Sequence, residues 1–172
     1  MALRWRSIDP CSSARLSEVL KSWEKTPYAE GQRVKRMGAD CVQLVVGILD
    51  ELFRTKPPTV VPSVPVDAAI HSDESALPSL RVLRTAWFGS EEVKDGTIEP
   101  GDVVLTRAEA NPAAPLRPAH AMIVGVEPWT ALHTLRGMGA RFSTIEATRG
   151  IVKVYRVREK EQWAALSPFT MQ

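Results

Sequence analysis

The stretch GADCVQLVVGILDEL, Gly38 to Leu52, decides how the rest of the chain is read. Asp40 stands where a helix N-cap belongs, its carboxylate able to accept backbone N–H groups that the first turn leaves unpaired. After it, Val42, Leu44, Val45, Val46, Ile48, Leu49, Leu52 and Phe53 put apolar groups on most sides of a helix. A helix of that kind is buried on most faces and belongs at the centre of a domain. Gly47 costs helix propensity in its interior, which predicts a close packing contact at that point.

Working outward, a first helix precedes this one. Ser12 or Ser13 can cap it, Leu16, Val19, Leu20 and Trp23 recur at helical spacing, and Thr26-Pro27-Tyr28 ends it. Downstream, Lys56 to Asp67 carries four prolines and reads as a surface crossing, not a domain linker. Ser79 to Phe88 reads as helical. From Ile98 the texture changes. Val103–Thr106, His120–Val126, Ala131–Leu135 and Ile151–Val157 are short β-branched or alternating runs divided by Pro and Gly, with Glu109 to Ala119 as a loop. An antiparallel sheet packed against the earlier helices follows, an α+β domain spanning residues 1–172.

Composition agrees with a single domain. The chain has 172 residues, 44% of them hydrophobic and 24% charged. A net charge of +2, evenly spread, excludes nucleic acid or a membrane surface as the expected partner. The most basic stretch, Arg33 to Arg36, reads as solvated surface. Cys11 and Cys41 are too few for a disulfide framework, and no Cys-x-x-Cys is present. The opening MALRWRSIDPCSS has no apolar core of signal-peptide length, and no apolar run reaches the ~18 residues of a membrane span. The expectation is a chain that is cytoplasmic as synthesised.

Cys41 falls in the first turn of its helix, where unpaired N–H groups and the positive dipole end favour thiolate, with Asp40 opposing. The competing reading is a small buried hydrophobe, a common use of cysteine. The histidines shift the balance. His71 sits among loop residues and reads as exposed, but His120 opens the strand HAMIVGV and His133 lies within TALHTL. A hairpin with Gly125-Val126-Glu127-Pro128 as its loop sets these two directly opposite each other on one face. Cysteine, base and orienting ring then form the arrangement of cysteine hydrolases. Two unrelated, separately satisfied histidines are the plainer alternative. A Cys-His-His metal site ranks third, because no acidic residue is placed as a fourth ligand, and neither metal nor cofactor is expected.

Four segments then line up. WEKTPYAEG, MGADCVQLV, IEPGDVVL and HAMIVGV…ALH, running from Trp23 to His133, resemble in content and order the NlpC-like cell-wall peptidases, a papain-like cysteine peptidase family. The resemblance implies a papain-like α+β fold in which Cys41 is the nucleophile, His120 the general base and His133 the orienting residue. It implies that Tyr28 lines the site near the oxyanion, that backbone N–H groups around the cysteine, Val42 included, hold that oxyanion, and that Pro100-Gly101-Asp102 is a structural turn. Val42-Gln43 replaces the family's Ser-Gly after the cysteine, and Ala121-Met122 follows His120 where a small apolar residue and Gly are usual. The implied activity is hydrolysis, through an acyl-thioester, of an amide in peptidoglycan stem peptides, at the bond between D-glutamate and the following diamino acid. Phage-associated members share the Trp-x-x-Thr-Pro-Tyr segment, which adds phage tail proteins as partners and a non-classical route to the cell wall. The alternative is a non-catalytic domain of the same fold used for binding or assembly. A third possibility is a cytoplasmic hydrolase of a non-wall amide, or an acyl transferase with the same apparatus.

Overall fold

The computed structural model describes residues 3–53, 88–106, 120–145 and 150–159. The proline-rich crossing, the helix expected over 79–88 apart from Phe88, His71 and the 109–119 loop lie outside the described residues. Helix α1 spans Pro10–Trp23 and helix α2 spans Cys41–Phe53. The cap of α1 is Asp9, not Ser12 or Ser13: its carboxylate accepts the Ser12 N–H, and Pro10 occupies the first turn, where a missing N–H costs nothing. The helix stops at Trp23, before Thr26-Pro27-Tyr28. Thr26 still takes part in the stop, because its buried hydroxyl donates to the Trp23 carbonyl at 2.7 Å.

At α2 the expected cap is present. Asp40 accepts the Gln43 N–H through one carboxylate oxygen and the Gly31 N–H through the other, each at 2.8 Å. Gln43 through Leu49 are all buried. Gly47 explains itself: a Cβ there would lie 2.5 Å from the Trp23 ring. The two helices can approach this closely only where that side chain is missing.

Ten strands are described. The largest sheet is fully antiparallel in the order β4 (Phe88–Glu92), β10 (Ile151–Glu159), β6 (Val103–Thr106), β7 (His120–Val124), β8 (Thr130–Leu135) and β9 (Gly139–Thr144). Two short pairs flank it: β1 (Arg4–Trp5) with β5 (Thr97–Ile98), and β2 (Arg33–Val34) with β3 (Gly38–Ala39). The α+β architecture is therefore as expected. Three differences stand out. Phe88 begins a strand where the sequence suggested a helix, β9 was not anticipated, and β7 ends at Val124.

Alternation divides the sheet's residues between two cores. Val103, Leu105, Ala121, Ile123, Leu132 and Tyr155 pack with Leu44, Val45, Ile48 and Leu49 of α2 and with α1. Val104, Val124, Ala131 and Val154 form the second cluster with Ile98, Trp5 and Trp129. Each fully buried Leu or Ile contributes about 1.5–3 kcal/mol, so α2 is held by its packing more than by helix propensity.

The Pro100-Gly101-Asp102 segment is a turn, with Gly101 at φ 88° and the Asp102 N–H donating to the Glu99 carbonyl at 3.1 Å. The Asp102 carboxylate, 2% exposed, accepts the Glu99 N–H at 2.8 Å and is gripped by Arg156 at 3.1 and 3.0 Å. Arg156 also pairs with Glu99 at 3.1 Å, and Arg6 reaches Glu99 from just after β1. Two cations and two carboxylates thus tie the start of β6 to β10 and to the segment after β1.

Candidate active site

The hairpin β7–β8 has a different register from the one expected. Ile123 pairs with Leu132, Val124 with Ala131, and the Gly125 N–H donates to the Thr130 carbonyl at 2.8 Å. The loop is therefore Val126-Glu127-Pro128-Trp129, and Trp129 takes the left-handed conformation at φ 61°. Continued along the strands, this register sets Leu135, not His133, opposite His120. The slip is two residues, an even number, so the two histidines still project from one face and meet diagonally. His120 Nε2 lies 2.7 Å from His133 Nδ1. The rings meet edge to face, their centroids 5.0 Å apart.

His133 is held from its other side as well. Its Nε2 lies 2.8 Å from the hydroxyl of Ser143 on β9. The sequence reading missed this residue because GARFST shows no clear alternation. A signal was present in the flanking glycines: Gly137 at φ 80° and Gly139 at φ 72° turn the chain into β9, pairing His133 with Arg141 and Ala131 with Ser143. Among the described residues, Nδ1 of His120 has no hydrogen-bond partner.

Cys41 begins α2 and is partly exposed. Its sulfur meets the sheet at the peptide next to His120, where the Ala121 N–H points toward it together with the N–H groups of Val42 and Cys41. Among the described residues no hydrogen bond joins the sulfur to either imidazole. Strand alternation places His120 and His133 with Met122 and Val124, while Ala121 faces α2. The Cys41 sulfur therefore lies near the His120–Ala121 peptide, on the α2 side of the sheet, while the two imidazoles project from the other face. Tyr28 is half-buried, bridges to Ala39 just before α2, and lies close enough to Cys41 for their charges to interact. The Arg136 guanidinium sits over its ring at 5.7 Å and reaches Glu30 at 3.5 Å. Among the described residues no group of three or more His, Cys, Asp or Glu side chains is arranged to hold a metal ion.

The electrostatics differ from the expected thiolate. Burial pushes the Cys41 thiol up; the surrounding N–H groups pull it down and the Asp40 charge adds to the rise. Desolvation wins over the helix terminus. Burial, with His133 as a second cause, brings His120 down to about 4. His133 is lowered by burial and then by Arg141. At neutral pH the thiol and both imidazoles are neutral.

No family model matches the chain, and no curated protein matches its sequence. Solved structures do match in shape. One from Staphylococcus aureus subsp. aureus Mu50, described as similar to lipoprotein, NLP/P60 family, has a TM-score of 0.56 at 14% sequence identity. The match covers 90% of this chain and 44% of that one, so this chain spans less than half of the neighbour's length. At that identity the likeness is one of fold: helices with a large antiparallel sheet, consistent with an NlpC/P60-like arrangement.

Proposed function

We propose that the chain is a cysteine hydrolase that cleaves an amide bond in peptidoglycan stem peptides, with Cys41, His120 and His133 in a papain-like relation. The observation that carries this reading is the 2.7 Å contact between His120 and His133, on a strand whose next residue turns its N–H toward the Cys41 sulfur. The fold likeness to an NLP/P60 structure supports it at the level of architecture.

Because thiol and rings are neutral at rest, no ion pair is stored; the proton leaves as the sulfur attacks. His120 takes the Cys41 proton on Nδ1, and the sulfur bonds to the amide carbon. The carbonyl oxygen becomes an oxyanion held by N–H groups at the start of α2, those of Cys41 and Val42. His120 then gives its proton to the leaving amine, which leaves an acyl-thioester. Water, deprotonated by His120, attacks the thioester; the acid departs and the thiol regains its proton. Tyr28 lines the entrance. A phage-tail setting, suggested by the Trp23–Tyr28 segment, is the delivery route that goes with this reading.

Muropeptides of defined stem composition, with products read by mass, provide the test. Turnover by the parent that disappears in Cys41→Ala supports the proposal; equal turnover in both overturns it. The second reading, a non-catalytic binding or assembly domain, has two observations in its favour: the raised thiol and the absence of a direct sulfur–imidazole hydrogen bond among the described residues. Iodoacetamide at neutral pH separates the two readings. Fast labelling of Cys41 that His120→Ala suppresses favours the hydrolase, and an inert Cys41 favours the binding domain.

A further inference from the structure

Resting on the hydrolase reading, we infer that Ser143 is a positioning residue that accepts a hydrogen bond from His133 and thereby fixes where His120 carries its proton. The geometry is a line of three groups: His120 Nε2 to His133 Nδ1 at 2.7 Å, then His133 Nε2 to Ser143 Oγ at 2.8 Å. A neutral imidazole has one N–H and one acceptor nitrogen, so the line can be polarised in only two directions. If His120 is to receive a proton on Nδ1, its own hydrogen sits on Nε2 and points at His133. His133 must then accept on Nδ1, carry its hydrogen on Nε2, and donate it to the Ser143 oxygen. The opposite polarisation puts a hydrogen on His120 Nδ1 and leaves no base for the thiol.

Once His120 is doubly protonated only the first direction survives. The acceptor role of Ser143 is therefore obligatory in the charged intermediate. His133 is 7% exposed, so water does not readily replace that acceptor. Ser143 itself is half-buried, and its hydroxyl proton can turn to solvent.

The test uses the full chain with Cys11→Ser, since Cys11 is exposed and would also react. Iodoacetamide reports on Cys41, and the spectra of 15N-labelled histidines report the tautomers. The parent is expected to hold His133 in the Nε2–H form. Ser143→Ala is expected to populate both tautomers and to slow Cys41 alkylation roughly tenfold, because the base remains and only its orientation is lost. Ser143→Thr, which keeps the hydroxyl, restores both signals. A serine that only fills space would leave the tautomers untouched. A reactive Cys41 with an unchanged His133 spectrum in Ser143→Ala overturns the positioning role alone. An unreactive Cys41 in the parent overturns the hydrolase reading, and the catalytic meaning of the line with it.

Discussion

At Cys41 two influences pull in opposite directions, and which one wins sets the pH behaviour of the site. The helix terminus favours thiolate, yet burial raises the thiol and takes His120 down to about 4. A base must be neutral to accept a proton, so the proposed transfer from Cys41 to His120 should be lost as pH falls through about 4 instead of near the ordinary imidazole value of about 6.5. A pH series of Cys41 alkylation checks this; an acid limb near the ordinary value contradicts it. His133 is one of the two causes that lower His120, so His133→Ala should move that limb upward while reducing turnover less than Cys41→Ala does. The same shift has a consequence for folding. Below the ordinary imidazole value the unfolded chain takes up a proton that native His120 refuses, so stability falls as pH drops from about 6.5 to about 4, by up to about 3 kcal/mol, and levels off below. Urea midpoints of the parent and of His120→Gln should diverge across that window, the parent losing more. Cys41, His120 and His133 stood out as candidates in the sequence because a helix start and two strand histidines announce themselves locally. Their protonation did not, since it depends on how deeply other segments bury them.

Helix α2 shows what period and punctuation can reveal. Its apolar encirclement announced a central helix, Asp40 announced its start, and Gly47 announced a close neighbour, which proves to be Trp23 of α1. Gly47→Ala therefore sets two effects against each other. Alanine gains about 1 kcal/mol of helix propensity, but its Cβ falls 2.5 Å and 2.7 Å from carbons of a ring that is itself buried. Overpacking of this kind costs about 1–3 kcal/mol, so net destabilisation of roughly 1 kcal/mol or more is expected in urea unfolding. Increased stability would show that the Trp23 ring moves aside freely. Strand β9 is the contrasting case. Gly139, Ala140, Arg141, Phe142, Ser143 and Thr144 do not alternate cleanly, because the strand lies at the sheet's edge and buries only its first two residues well. Its pairing with β8 makes it a strand, and pairing is a non-local property. The hairpin register was missed for a related reason: Trp129 at positive φ joins the loop while Gly125 leaves it, so the four-residue loop moves along by one and the whole register slips by two.

Among the described residues, the helices come from the first third of the chain and most of the large sheet from the last, so the candidate site depends on the docking of the two. Hydrophobic alternation accounts for the docking face, and the turn before β6 accounts for part of the alignment. Pro100-Gly101-Asp102 was expected as a turn through the family resemblance, and its Gly101 at φ 88° bears that out. Its ionic partner Arg156 is 54 residues away on β10, and nothing near Asp102 in the sequence points to it. Asp102 is 2% exposed, and burial pushes its carboxyl up to about 6 against the pull of Arg156. The cluster is therefore costly to desolvate and depends on all its members. Arg156→Ala removes the guanidinium that reaches both Asp102 and Glu99, leaving Glu99 paired with Arg6 and Asp102 with only the longer-range pull of Arg158 and Arg6 among the described residues. Breaking a buried ionic group in this way costs about 3–5 kcal/mol, much of the stability of a domain this size. The loss should be smaller at pH 5 than at pH 7, because a carboxyl already raised by burial takes up a proton more readily once its cation is gone. Urea unfolding of the parent and Arg156→Ala at the two pH values tests both statements. A loss below 1 kcal/mol, or one that does not change with pH, would mean that hydrophobic packing alone aligns β6 with β10 and that the ion cluster is incidental to the docking that builds the site.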